Sequence, residues 1–269
     1  DFTATWRGGF LHAVHLGPPL AAHGTSEIDF AHAIAQLARL PNTGLVRELV
    51  IGATERNGYP TSWSHVVAAI AEHGVPPNLV RLEISAGTYN LSDTKLGDLS
   101  PAYSKLSGVR ELAIELGSLE LGDIDLPELR SLVIRTCGLT GPNLASIHQA
   151  RGAHLERLSL WLGETGRAGC DVELADLRPL LAGKLERVRH LGLANSSLTD
   201  EIVAALAGSK LLQRLETLDL SGGTMTDEGA RTLNAHRQAF AHLHELDLSH
   251  AYVSEQLGAQ LATICPRVV

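Results

Sequence analysis

The chain has 269 residues, 44% of them hydrophobic and 19% charged, a globular balance that excludes a disordered polymer and allows one large domain or two small ones. Its formal net charge of −8 excludes the basic footprint of a nucleic-acid binder and disfavours an anionic membrane surface. Three scattered cysteines, Cys137, Cys170 and Cys265, exclude a disulfide framework and fit a reducing compartment.

Along the chain one phrase recurs: apolar-x-x-apolar-x-apolar. It first occurs at Leu11-Val14-Leu16, behind residues 1–10, which read as an N-terminal cap. It returns at Val46-Leu49-Ile51, and Ser62–Gly74 then carries a helical pattern. Further copies stand at Leu79-Leu82-Ile84, Val109-Leu112-Ile114, Leu129-Leu132-Ile134 and Leu155-Leu158-Leu160. A glycine-rich insertion, Gly163–Asp171, follows the last of these. Val188-Leu191-Leu193 precedes a helix with Thr199 or Asp200 placed to cap it. Leu215-Leu218-Leu220 and Leu243-Leu246-Leu248 are each followed by another amphipathic stretch, Asp227–His236 and Ser254–Ala262. Residues 262–269, with Pro266, read as the end of a helix and a stub of strand, either a C-terminal cap or a cut. No apolar run is long enough to span a membrane and no secretory signal is evident, so a cytoplasmic location is expected. The sequons at Asn90 and Asn195 are discounted on the same ground.

The phrase occurs nine times, with an average step of about 29 residues. Within each copy the last two apolar positions are two apart, so a strand points both to one face. One strand and one helix cannot bury that face alone, whereas stacked units can. The expectation is an α/β solenoid over residues 1–269, one domain of about nine repeats. Parallel strands would line its concave face and helices its convex face.

This pattern resembles the leucine-rich-repeat family, and "LTDEIVAAL" and "MTDEGARTL" resemble its strand-plus-helix kind, found in ribonuclease inhibitor and the Ran GTPase-activating protein. The opening "WRGGFLHAVHLG" is similar to bacterial repeat proteins that carry a small companion domain ahead of the array. The family places Asn or Cys eight residues after the first apolar position. Here those positions hold Thr54, Gly87, Gly117, Cys137, Gly163, Ser196, Gly223 and Ala251, so only Cys137 fits. Looser bends and a buried Cys137 thiol are expected.

No phosphate-loop, zinc-protease, nucleophile-elbow or EF-hand motif is present, so neither an enzyme nor a cofactor or metal site is expected. His242, His244 and His250 cluster without a carboxylate or thiol at metal-ligand spacing. Function is expected on a surface instead: a protein–protein interaction module whose concave face takes a protein partner. The outward strand positions carry Leu116, Val133, Arg135, Arg157, Trp161 and Leu162 in the centre and Asp219 and Asp247 beyond. Trp161 and Arg135, neighbours one repeat apart, are the expected anchor. The long insertion at 163–171 leaves open whether Trp161 is exposed or covered. Two further readings are a regulator or activating partner of a GTPase or other enzyme, and a scaffold arm of a larger protein.

Overall fold

A computed structural model gives the fold. It describes residues 2–17, 29–52, 62–86, 88–150 and 154–269; the bend positions Thr54 and Gly87 lie outside them, as does the side chain of Asn90. The chain divides into two compact units, Asp1–Thr136 with Gln149–His154, and Cys137–His148 with Leu155–Val269.

The first unit opens with an antiparallel hairpin, β1 (Phe2–Arg7) and β2 (Phe10–Leu16). Its turn is Gly8-Gly9, both at positive φ, which a two-residue hairpin loop requires. There follow α1 (Phe30–Arg39), β3 (Glu48–Gly52), α2 (Ser64–His73), β4 (Arg81–Ser85), β5 (Lys95–Asp98), β6 (Glu111–Glu115), β7 (Ser118–Glu120) and β8 (Ser131–Arg135). Strands β2, β3, β4, β6 and β8 run parallel in that order. Their register sets Val14, Leu49, Leu82, Leu112 and Leu132 in one row and Leu16, Ile51, Ile84, Ile114 and Ile134 in the next. Every member of both rows is at most 3% exposed, so each repeat's phrase is the core. Each such side chain contributes roughly 1.5–3 kcal/mol by leaving water.

The second layer of this unit is only partly helical. Asp29 caps α1, its carboxylate accepting the His32 N–H at 2.9 Å, and Phe30 stacks on Trp63 with ring centroids 5.1 Å apart. Beyond α2 the role passes to a 3₁₀ turn, Ser100–Lys105, which contains Pro101. The step from Val109 to Leu129 is too short for a strand, a helix and two loops, and β7 pairs with β5 in a small second sheet instead.

The second unit contains α3 (Gly141–Gln149, its last residue assigned to the first unit), β9 (Arg157–Gly163), α4 (Arg178–Leu181), β10 (His190–Ser196), α5 (Thr199–Ala207), β11 (Thr217–Asp219), α6 (Asp227–Ala235), α7 (Arg237–Phe240), β12 (Glu245–Asp247) and α8 (Glu255–Leu261). Strands β9 to β12 are parallel, with Leu158, Leu191, Leu218 and Leu246 in one buried row. The chain then forms the expected stub: Val268 bridges Leu246, and the Leu246 N–H donates to the Arg267 carbonyl at 2.9 Å.

The bends of this unit are tight, not loose as expected. Asn195, Gly222 and His250 occupy equivalent positions and all adopt positive φ, which re-aims the chain after each strand. The next residue must be small because the neighbouring bend approaches closely. A Cβ at Gly223 would overlap the Thr199 hydroxyl, and one at Gly163 would lie 2.7 Å from the Cys137 carbonyl. Gly117, in the first unit, is held the same way, its N–H donating to Thr94 Oγ1 at 2.8 Å. Cys137 itself is half-buried, a correction to the expected core thiol.

Aspartates at helix N-termini bind adjacent repeats together. Asp200 does not cap its own helix. Its Oδ1 accepts the N–H groups of Thr226 (2.9 Å) and Gly229 (3.1 Å), and its Oδ2 accepts the Thr226 hydroxyl (2.6 Å). Asp227 repeats the device one unit on, accepting the Ser254 N–H at 2.8 Å, and this bond holds its carboxyl below the usual range. Carboxylates at helix N-termini gain from both the unpaired donors and the helix dipole.

Candidate functional site

The outward strand face was the expected site, and strand alternation decides which of its residues reach it. In β6, Glu111, Ala113 and Glu115 lie on one face, so Leu116 continues the opposite series of Leu112 and Ile114. It is fully buried. In β9 the same count sends Leu162 inward with Leu158 and Leu160, and it is 1% exposed. Leu116 and Leu162 are therefore core residues and are removed from the candidate surface.

In the first unit the remaining face is polar and internally paired. Arg81 Nη2 lies 2.7 Å from Glu83 Oε2. The Glu83 hydrogen bond, strengthened by the nearby Glu111 and Glu48, raises the already high pKa of the guanidinium. Arg135 Nη1 lies 3.4 Å from Glu115 Oε2, and Val133 is half-buried.

In the second unit Trp161 is half-buried and stands in register beside Ala194, itself 2% exposed. Arg157 is exposed and stands beside His190. Burial, then the Arg157 charge, lowers the His190 pKa; its Nδ1 lies 3.0 Å from Thr217 Oγ1. The next row runs Ser159, Gly192, Asp219, Asp247. Asp219 and Asp247 are thus side by side, as the repeat spacing required. Each Oδ1 accepts the N–H two residues on, Ser221 or Ser249, at 2.9 Å, so each carboxylate also builds its own bend. The insertion at 163–171 is exposed from Glu164 to Gly169, and Cys170 turns inward, its thiol donating to the Leu162 carbonyl at 3.1 Å. Arg135 belongs to the first unit and Trp161 to the second.

His242 Nε2 lies 2.8 Å from the Leu212 carbonyl, and His250 takes a left-handed bend. Among the described residues no group of three His, Cys, Asp or Glu converges to hold a metal ion, and no helix is long and apolar enough to cross a membrane.

A second candidate surface escaped the sequence reading. Between the hairpin and α1 lies a groove of about 980 Å³, lined by Trp6, Phe10, Leu11, Gln36, Leu40 and Leu45 among others. Trp6 is 65% exposed, Phe10 60%, Leu40 49% and Leu45 46%. Scattered exposed apolar residues are ordinary, but four around one groove are not. The hairpin explains it. Its two strands are joined by a two-residue turn, so no helix from within the hairpin covers its helix-side face. The signal lay in α1: Phe30, Ile34 and Leu37 already complete a buried stripe, which leaves Leu40 and Leu45 outside it.

No family model matches the sequence, and no curated protein matches it. Among solved structures, a protein from Bacteroides fragilis is similar with a TM-score of 0.78 at 24% identity, covering 88% of this chain and 68% of that one. An internalin from Listeria monocytogenes is similar with a TM-score of 0.42 at 16% identity, covering 86% of this chain and 69% of that one. The first likeness shows the fold alone.

Proposed function

We propose that the chain is a leucine-rich-repeat array of the strand-plus-helix kind, acting as a protein-interaction module and not as an enzyme. The observation that carries the binding role is the groove bounded by Trp6, Phe10, Leu40 and Leu45. An amphipathic helix from a protein partner suits it. The groove runs beside α1 over strands with no intervening helix among the described residues, and helix-in-groove docking uses apolar anchors at i, i+3 or i+4, and i+7. The test is selection of displayed peptides on the chain, with counter-selection on Leu40→Glu. Selected sequences should converge on that spacing and lose binding to the variant at least about tenfold. Sequences without helical spacing, or binding both proteins alike, would sink the reading.

A second reading keeps the outward face of β9–β12, with Trp161, Arg157, Asp219 and Asp247 as contacts. Its support is the bare row beside Trp161, where Gly192 and Ala194 hold the surface low next to two carboxylates. That chemistry fits an extended segment with a basic residue. Trp161→Ala and Leu40→Glu separate the two: whichever abolishes capture of a selected peptide marks the surface it uses.

A further inference from the structure

Among the described residues, β1 stands at the edge of the sheet. In the sheet order β1 has β2 on one side and, among the described residues, no strand on the other. An edge of this kind presents a row of unpaired backbone donors and acceptors, and monomeric proteins blunt it with Lys, Pro or a bulge. The strand Phe2–Arg7 holds neither Lys nor Pro, and its one charge, Arg7, stands at its last position, outside Phe2–Trp6. The hairpin does contain a bulge, but its extra residue is His12 on β2, because Thr5 pairs with Ala13 and Trp6 with Leu11. The strand at the edge is left unbroken.

Its sequence has a symmetry that a one-sided strand does not need. Read about Ala4, Phe2-Thr3-Ala4-Thr5-Trp6 is the same in either direction by class: aromatic, Thr, Ala, Thr, aromatic. An isologous interface requires a surface complementary to itself under a two-fold axis. A two-fold normal to the sheet, passing midway between the Ala4 residues of two copies, meets that requirement. It sets Thr3 opposite Thr5 of the second copy, Ala4 opposite Ala4 and Phe2 opposite Trp6. Each pair lies on one face, as antiparallel pairing demands. Thr3 and Thr5 are exposed. Trp6, 65% exposed, stands at the end of the same strand.

We propose that β1 is a self-pairing edge: two copies of the chain associate by antiparallel addition of β1 to β1, in the register centred on Ala4. This goes beyond the binding role of the groove and stands whatever helix the groove takes.

Sedimentation velocity on the full chain, from roughly 1 to 100 μM, should show a concentration-dependent monomer–dimer equilibrium. In the double variant Thr3→Lys/Thr5→Lys, ammonium meets ammonium at two symmetry-related places, and the dimer should weaken by about tenfold or more. In Thr3→Glu/Thr5→Lys, carboxylate meets ammonium at the same two places, and the dimer should persist. At low concentration, where every form is monomeric, both variants should keep the wild-type circular dichroism and unfolding midpoint, since both positions are exposed. A chain that stays monomeric throughout overturns the proposal. So does a dimer that the double lysine variant leaves intact, or one that both double variants weaken alike, because the register would then be wrong.

Discussion

Glycine inside a helix is ordinarily a weakness, and Gly→Ala there gains about 1 kcal/mol. Gly229, in the first turn of α6, should reverse that sign. Its N–H donates to Asp200 Oδ1, and a Cβ built on it would overlap that same oxygen and lie 2.9 Å from Met225 Cγ. Alanine fits only if the carboxylate withdraws. Withdrawal releases the Thr226 N–H and hydroxyl, which water can reach, and the buried Gly229 N–H, which it reaches poorly. Losing a helix cap together with a charge-assisted bond to a buried donor costs about 2 kcal/mol. Gly229→Ala should therefore destabilise by about 1 kcal/mol net, and Asp200→Ala by about 2 kcal/mol. In the Asp200→Ala background the oxygen is gone and the flexible Met225 side chain can swing aside. There Gly229→Ala should stabilise by up to about 1 kcal/mol. The cycle then closes with a coupling of about 2 kcal/mol, well above the additive range. Urea unfolding monitored by circular dichroism reads all four proteins, with constant slope as the check. If Gly229→Ala stabilises the wild-type chain, the aspartate ladder does not bind the repeats together as argued.

Leu162→Ala should cost about 2–5 kcal/mol in unfolding experiments, as for a core leucine; a change within about 0.5 kcal/mol would return Leu162 to the surface. His148 and His190 are both shifted down by burial from the ordinary value of 6.5. Between the folded and unfolded values the unfolded chain binds more protons, so their contribution is complete above pH 6.5 and lost as pH falls below it. The unfolding midpoint should drop with acidification over that window, and a His148→Gln/His190→Gln protein should show a flatter profile; equal slopes would exclude these two groups. A thiol reagent should label half-buried Cys137 ahead of buried Cys170 and Cys265, the last with its thiol pKa raised by burial. Equal rates in the folded protein would contradict that order.

The repeat was legible because its period-two phrase is also its core. Leu49, Leu82 and Leu112 on one side, and Leu158, Leu191, Leu218 and Leu246 on the other, align in the register the spacing demanded. Misreading began where the strand ended. Leu116 and Leu162 follow outward residues and read as outward with them, yet alternation holds one residue further and buries both. The bends failed for another reason. A glycine at a bend reads locally as freedom, whereas at Gly117, Gly163 and Gly223 it marks close approach by a bend 23–27 residues earlier. That contact is non-local, so no window of sequence displays it.

The same separation between local signal and stacked neighbour governs where a partner could bind. Inside an array each repeat covers the apolar flank of the next, so internal repeats expose little apolar surface. Tyr252 aside, the large apolar side chains most exposed among the described residues are Trp6 and Phe10, on the β1–β2 hairpin. On the hairpin a strand has been added without a helix to match, and two surfaces follow from that one economy. The helix side becomes a groove, and the outer strand becomes an edge. Neither required a motif; both follow from an antiparallel strand that brings no helix with it. Such a strand is therefore the place where the fold's own logic of adding strands and helices remains available to another chain.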